Sequence, residues 1–178
     1  MSVDLTNAED STPLHLSAVH GNLEATKFLV ERDAALNKTN KFGVTPLIWA
    51  ANKGKLEVFR CLTEIGADIN IPDDKRNTVL HHAAISGSVE IIKILLDKGM
   101  SVDLTNAQDS TPLHLSGRNG NLEATKILVE RGAALNKTNK FGVTPLMLAA
   151  TSGNLEVFRY LREKGAEFNT PSQCSSIF

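Results

Sequence analysis

The chain has 178 residues, 42% apolar and 22% charged, and a formal net charge of -1. This balance belongs to a folded domain rather than a disordered chain. It also lacks the basic stripe that nucleic-acid binding demands, so no nucleic-acid partner is expected.

No stretch reaches the ~20 apolar residues of a membrane helix, and no membrane association is expected. The opening MSVDLTN has neither the basic start nor the apolar run of a signal peptide. Cys61 and Cys174 offer no disulfide framework and no metal-ligand spacing. An intracellular, cytoplasmic or nuclear location is the expectation. Cys61 falls at an apolar helical position as a small core residue, and Cys174 lies near the end of the chain as an exposed thiol.

In chain order, Thr12 predicts a helix N-cap, and Pro13 suits the first helical position, where its missing N–H costs nothing. Leu14 and Leu16 supply apolar contacts on a short helix that stops at Gly21, a residue able to take positive φ. Asn22 caps a second helix, in which Leu23, Thr26, Leu29 and Val30 recur at helical spacing. Asp33 then stands where later copies carry glycine, at Gly66, Gly99, Gly132 and Gly165. Asn37 to Val44 has the asparagine and glycine chemistry of a turn and predicts a projecting hairpin.

The pattern then repeats. Thr12, Thr45, Thr78, Thr111 and Thr144 recur at an interval of 33 residues. A period of this size means stacked copies of one supersecondary unit, each contacting only its neighbours, with a continuous outer surface rather than a closed pocket.

The phrases TPLH at Thr12 and Thr111, TPLI at Thr45, TVLH at Thr78 and TPLM at Thr144 carry a resemblance. So do Gly21, Gly54, Gly87, Gly120 and Gly153, and the ends Gly66–Asn70 and Gly165–Asn169. The chain resembles the ankyrin-repeat family. The resemblance implies an all-α solenoid of about five 33-residue helix-turn-helix units with β-hairpin fingers. The array spans 1–169, with units near 8–40, 41–73, 74–106, 107–139 and 140–169, followed by a tail at 170–178. It further implies that His15, His81 and His114 tie the turns of adjacent units together. Asp10, Arg76 and Asp109 replace the hairpin glycine kept at Gly43 and Gly142, so less regular fingers are expected there.

A longer duplication overlies the short one. Residues 2–62 and 101–161 align at an offset of 99 with twelve differences, and the divergent unit at Thr78 lies between them. The first unit lacks an upstream neighbour and a polar capping helix. The expectation is therefore either fraying of Pro13–Val30 or a fragment of a longer array.

No nucleophile–base–orienter set, phosphate cradle or pair of histidines at ligand spacing is evident, so no enzyme, cofactor or metal is expected. The leading reading is a monomeric scaffold that binds a protein partner. By the resemblance, contact would come through the concave face, made of hairpin fingers and first-helix ends. Val19, His20, Phe42, Trp49, Lys53, Lys75, Ile85, Arg118 and Phe141 are its candidate contact residues. Phe42 and Phe141 are aromatic anchors on equivalent fingers. Trp49 and His82 should be neighbours one repeat step apart. The alternative is a structural spacer or a piece of a longer array in a multi-domain protein. The ending Ser175–Phe178 also fits a short carboxylate-capture pattern.

Overall fold

The computed structural model describes residues 3–168. The tail 170–178, with Cys174 and the Ser175–Phe178 ending, lies outside the described residues, as does Asn169.

Ten helices and no strand are present among the described residues. They are α1 (Pro13–His20), α2 (Leu23–Val30), α3 (Pro46–Asn52), α4 (Leu56–Ile65), α5 (Val79–Ser86), α6 (Val89–Asp97), α7 (Pro112–Asn119), α8 (Leu122–Glu130), α9 (Pro145–Thr151) and α10 (Leu155–Glu163). Each odd helix packs on the even helix that follows it. The odd helices then pack on one another in chain order, and the even helices do the same. Two parallel layers result, with the core between them.

Local chemistry sets the helix starts. Thr12, Thr45, Thr111 and Thr144 cap α1, α3, α7 and α9 through their hydroxyls, with proline following each. Asn22 Oδ1 accepts from Ala25 N–H and caps α2, as its sequence position predicts. Gly21 ends α1 at φ 74°, a conformation that glycine takes without strain.

The core is filled by Leu14, Leu47, Leu80, Leu113 and Leu146 from the odd helices and by Phe59, Leu62, Ile92, Leu95, Leu128 and Leu161 from the even ones. Small residues such as Ala50, Ala51, Ala83 and Ala84 are fully buried and let the backbones approach. Leu16, expected to supply apolar contacts, is instead 46% exposed. Nothing among the described residues covers the outer side of α1.

Three straps join successive units. His15 accepts Thr12 N–H at Nδ1 (3.1 Å), which leaves Nε2–H to donate to the Val44 carbonyl at 3.0 Å. His81 does the same to Ser110 (3.0 Å) and His114 to Val143 (3.1 Å). These are the linking roles expected of the three imidazoles. Burial pushes all three below the ordinary imidazole value, His81 to about 4, against the opposing pull of those carbonyls. The rings are therefore neutral structural donors rather than acid–base groups.

The second strap runs along the far side. Asp4, Asn37, Asp103 and Asn136 each accept a backbone N–H from 31 residues ahead, at Ala35, Asp68, Ala134 and Glu167. The third joins the projecting loops. Lys41 N–H donates to the Glu9 carbonyl, Asp74 to Phe42, Ala107 to Lys75 and Lys140 to Gln108, at 2.8–3.1 Å. With one such bond per step and short turns within each loop, the loops carry turns without strand ladders.

The loops holding Asp10, Arg76 and Asp109 are as regular as the glycine ones, contrary to expectation. These residues sit at φ 56–60° beside Gly43 and Gly142 at 72°. All five donate the same N–H to the asparagine or aspartate three residues back, at 2.8–3.0 Å. The repeated fold imposes the left-handed conformation and the residues bear its cost, on the order of 1 kcal/mol each. Asp33 adopts it too, at φ 59°.

Candidate functional site

Each projecting loop is organised by one side chain. Asn7, Asn40, Asp73, Asn106 and Asn139 accept two backbone N–H groups each through Oδ1, which folds the loop tip. At Asn40, Asn106 and Asn139 the Nδ2 reaches back to the preceding loop, to Ser11 Oγ, Asn77 Oδ1 and Ser110 Oγ respectively. At position 73 the preceding loop offers Val44, which has no acceptor side chain. An asparagine amide there would lose that acceptor, and the chain has aspartate instead.

The free oxygen of Asp73 takes up a different task. Oδ2 accepts from Asn77 Nδ2 (3.0 Å) and from His82 Nε2 (2.9 Å). Asn52 Nδ2 approaches the other ring nitrogen of His82 at 3.1 Å. Burial pushes the Asp73 carboxyl up, but the hydrogen bonds from His82 and Asn77 outweigh it and hold it below the usual carboxylate value.

This network floors a groove of about 720 Å³, lined in part by Glu9, Phe42, Trp49, Lys75, His82 and Ile85. A second depression of about 370 Å³ shares Lys75, Asn77 and Ile85 with the first, and continues to Leu115, Arg118 and Lys140. Together they run along the loop tips and the ends of α3, α5 and α7.

The candidate contact residues fall into two groups. Phe42, Trp49, Lys75, Ile85 and Arg118 line this continuous depression. Lys53 lies at its margin, with Nζ 5.5 Å from the Trp49 ring centre. Phe141 is 66% exposed beneath Lys140, as Phe42 is 47% exposed beneath Lys41. His20 stands apart, in a cavity at the outer side of α1 and α2 with Pro13, Leu16 and Phe28. Val19 is half-buried and lines neither depression. Trp49 and His82 do share one groove, with His82 held by the hydrogen bonds described above.

Glu9, Asp73, Asp74, Asn77 and Gln108 also line the depression and were not singled out by their sequence context. Asp73 could have been found, because it breaks a column of the 33-residue period that otherwise reads asparagine at Asn7, Asn40, Asn106 and Asn139, nine positions before His82.

The family model described as ankyrin repeats (three copies) matches residues 1–73 and 80–172. The chain belongs to the ankyrin-repeat family. Ankyrin repeats generally serve as protein–protein interaction modules and are typically non-enzymatic. No curated protein matches the chain significantly. Among the described residues of this ankyrin-repeat chain, no group of three metal-binding side chains is present. No described helix is long and apolar enough to cross a membrane. Cys61 is half-buried, and burial pushes its thiol up, which disfavours the reactive thiolate.

Proposed function

We propose that the chain is a non-catalytic scaffold of five ankyrin units that captures a protein partner along its loop tips and first-helix ends. The observation that carries this reading is the continuous depression from Phe42 and Trp49 through Ile85 to Arg118. Aromatic and arginine side chains lead the energetics of protein interfaces, and here they line a surface contributed by successive units. The exposed Phe42 and Phe141 act as finger anchors on either side of the divergent unit near 74–106. The mixed charges at the rim, Glu9 and Asp74 against Lys75 and Arg118, set orientation rather than affinity.

The test is affinity capture from native cells with the intact chain and with Phe42→Ala, Trp49→Ala and Arg118→Ala. A defined protein should be retained by the parent chain. At least one of these variants should weaken binding about 30-fold, the scale of an interface hot spot. Helix content should be unchanged. A spacer would capture no defined protein, and a partner indifferent to all three changes would place the interface elsewhere.

A further inference from the structure

The two end faces of the described residues carry the two halves of a contact that the chain makes internally. Between α5–α6 and α7–α8, Asn121 Nδ2 donates to the Ala84 and Ile85 carbonyls at 2.9 and 2.8 Å. Its side chain sits over Gly87, where a Cβ would come within 2.9 Å of it. One step on, Asn154 donates to the Gly117 and Arg118 carbonyls at 2.9 and 2.8 Å, over Gly120. In both cases a glycine notch receives an asparagine.

The series has an unfilled member at each end. Asn22 is the copy of Asn121, and its exposed amide nitrogen has no partner among the described residues. Gly153 is the notch one step beyond Gly120, and no described residue comes within 4 Å of the place a Cβ would take there.

Apolar surface surrounds both. Pro13, Leu16, Phe28 and Leu29 line a cavity of about 500 Å³ at one end. Ala149, Ala150, Leu155 and Phe158 line one of about 230 Å³ at the other. Leu16 and Phe28 are 46% and 53% exposed, whereas Leu115, the copy of Leu16, is 8% exposed against the preceding helices. Charge completes the match. Arg131 pairs with Asp97 at 2.8 Å across the α6–α8 contact. The residues at the same positions of the end faces are Arg32 and Glu163.

We infer that the α1–α2 face of one chain receives the α9–α10 face of a second copy, head to tail. Asn22 then sits in the Gly153 notch and donates to the Ala150 and Thr151 carbonyls, and Arg32 meets Glu163. The contact is heterologous, so each added copy presents a fresh end and growth is open. The groove lies outside this contact, and the inference stands independently of partner binding there. The monomer expected from sequence then describes dilute protein.

Sedimentation velocity of the intact chain over rising concentration tests it. The parent chain should form a graded series of oligomers. Phe28→Lys and Leu155→Lys, each at a half-exposed site and checked for unchanged helicity, should each abolish the series. Mixed together, these two variants should form a one-to-one pair that grows no further, because each retains one working face. Arg32→Glu and Glu163→Arg should each weaken association about two- to fivefold, the range of an exposed ion pair, and the double variant should recover it. A parent chain that remains monomeric at every concentration overturns the proposal. So does association that survives both lysine variants, or a mixture that forms no pair.

Discussion

Helices α1–α2 and α7–α8 are nearly the same peptide. Over Pro13–Val30 and Pro112–Val129 only Ala18, Val19, His20 and Phe28 differ, from Gly117, Arg118, Asn119 and Ile127. The threonine and glycine caps of α1 and α7, the buried serine–threonine pairs (Ser17–Thr26 and Ser116–Thr125) and the histidine straps coincide. Asn22 caps α2 through its side chain, whereas Asn121 turns its amide to the preceding unit. Yet Leu128 is fully buried while its copy Leu29 is only half-buried, because α7–α8 lies between two neighbouring pairs and α1–α2 has one. In a repeat array, stability is a sum of unit and interface contributions, so one sequence acquires two stabilities by position.

The largest expected effect tests that statement directly. Leu128→Ala should cost about 2–5 kcal/mol in denaturant unfolding. Leu29→Ala should cost at least ~1 kcal/mol less, because less of its surface leaves water on folding. Equal losses would break the comparison. Hydrogen exchange sharpens it: amides of Pro13–Val30 should exchange faster than those of Val79–Leu96, and equal protection would remove the expectation of fraying.

Acid should act next in size, through the straps. With His81 at about 4 in the fold and about 6.5 when unfolded, the unfolded chain binds more protons between those values. Its contribution is full above about pH 6.5 and is lost as pH falls toward about 4, on the order of 3 kcal/mol. His15 and His114 are lowered in the same direction and add to the loss. Denaturant midpoints at neutral pH and near pH 4.5 check this, and equal midpoints would refute it.

A smaller effect separates the divergent segment from the two copies. Asp73→Asn should cost about 1–2 kcal/mol, since an amide facing Asn77 Nδ2 and His82 Nε2 sets donor against donor. Adding His82→Leu, which introduces the residue found at the equivalent positions 16, 115 and 148, should recover part of that loss. A double-mutant cycle without coupling would show that the two residues do not act as a pair.

The smallest expected effect is a gain. The Tyr160 hydroxyl is buried without a hydrogen-bond partner among the described residues, at the position where the other copy has Cys61. Tyr160→Phe should therefore be neutral or stabilising by up to about 1 kcal/mol, measured by thermal unfolding.

Much of the helical layout was legible residue by residue. Threonine–proline starts, Asn22, Gly21 and the histidines act within three or four residues of their own position or one fixed period away, so spacing alone reveals them. The loops with Asp10, Arg76 and Asp109 were misjudged because propensity was weighed without the neighbouring loops that hold each left-handed turn in place. In the candidate site, Phe42, Trp49, Lys75, Ile85 and Arg118 were singled out individually. Their union in one depression, and the separation of His20 from it, depended on where α1, α3, α5 and α7 come to rest.

The amino-acid order by itself determined the period, the caps, the apolar faces and the membership of the family, because each is local chemistry repeated at a fixed interval. Only the stacked structure decided which of two identical leucines is buried, which aspartate meets which histidine, and where exposed side chains converge. Those outcomes depend on contacts between layers about 30 residues apart along the chain, whose energy belongs to the pair and not to either segment.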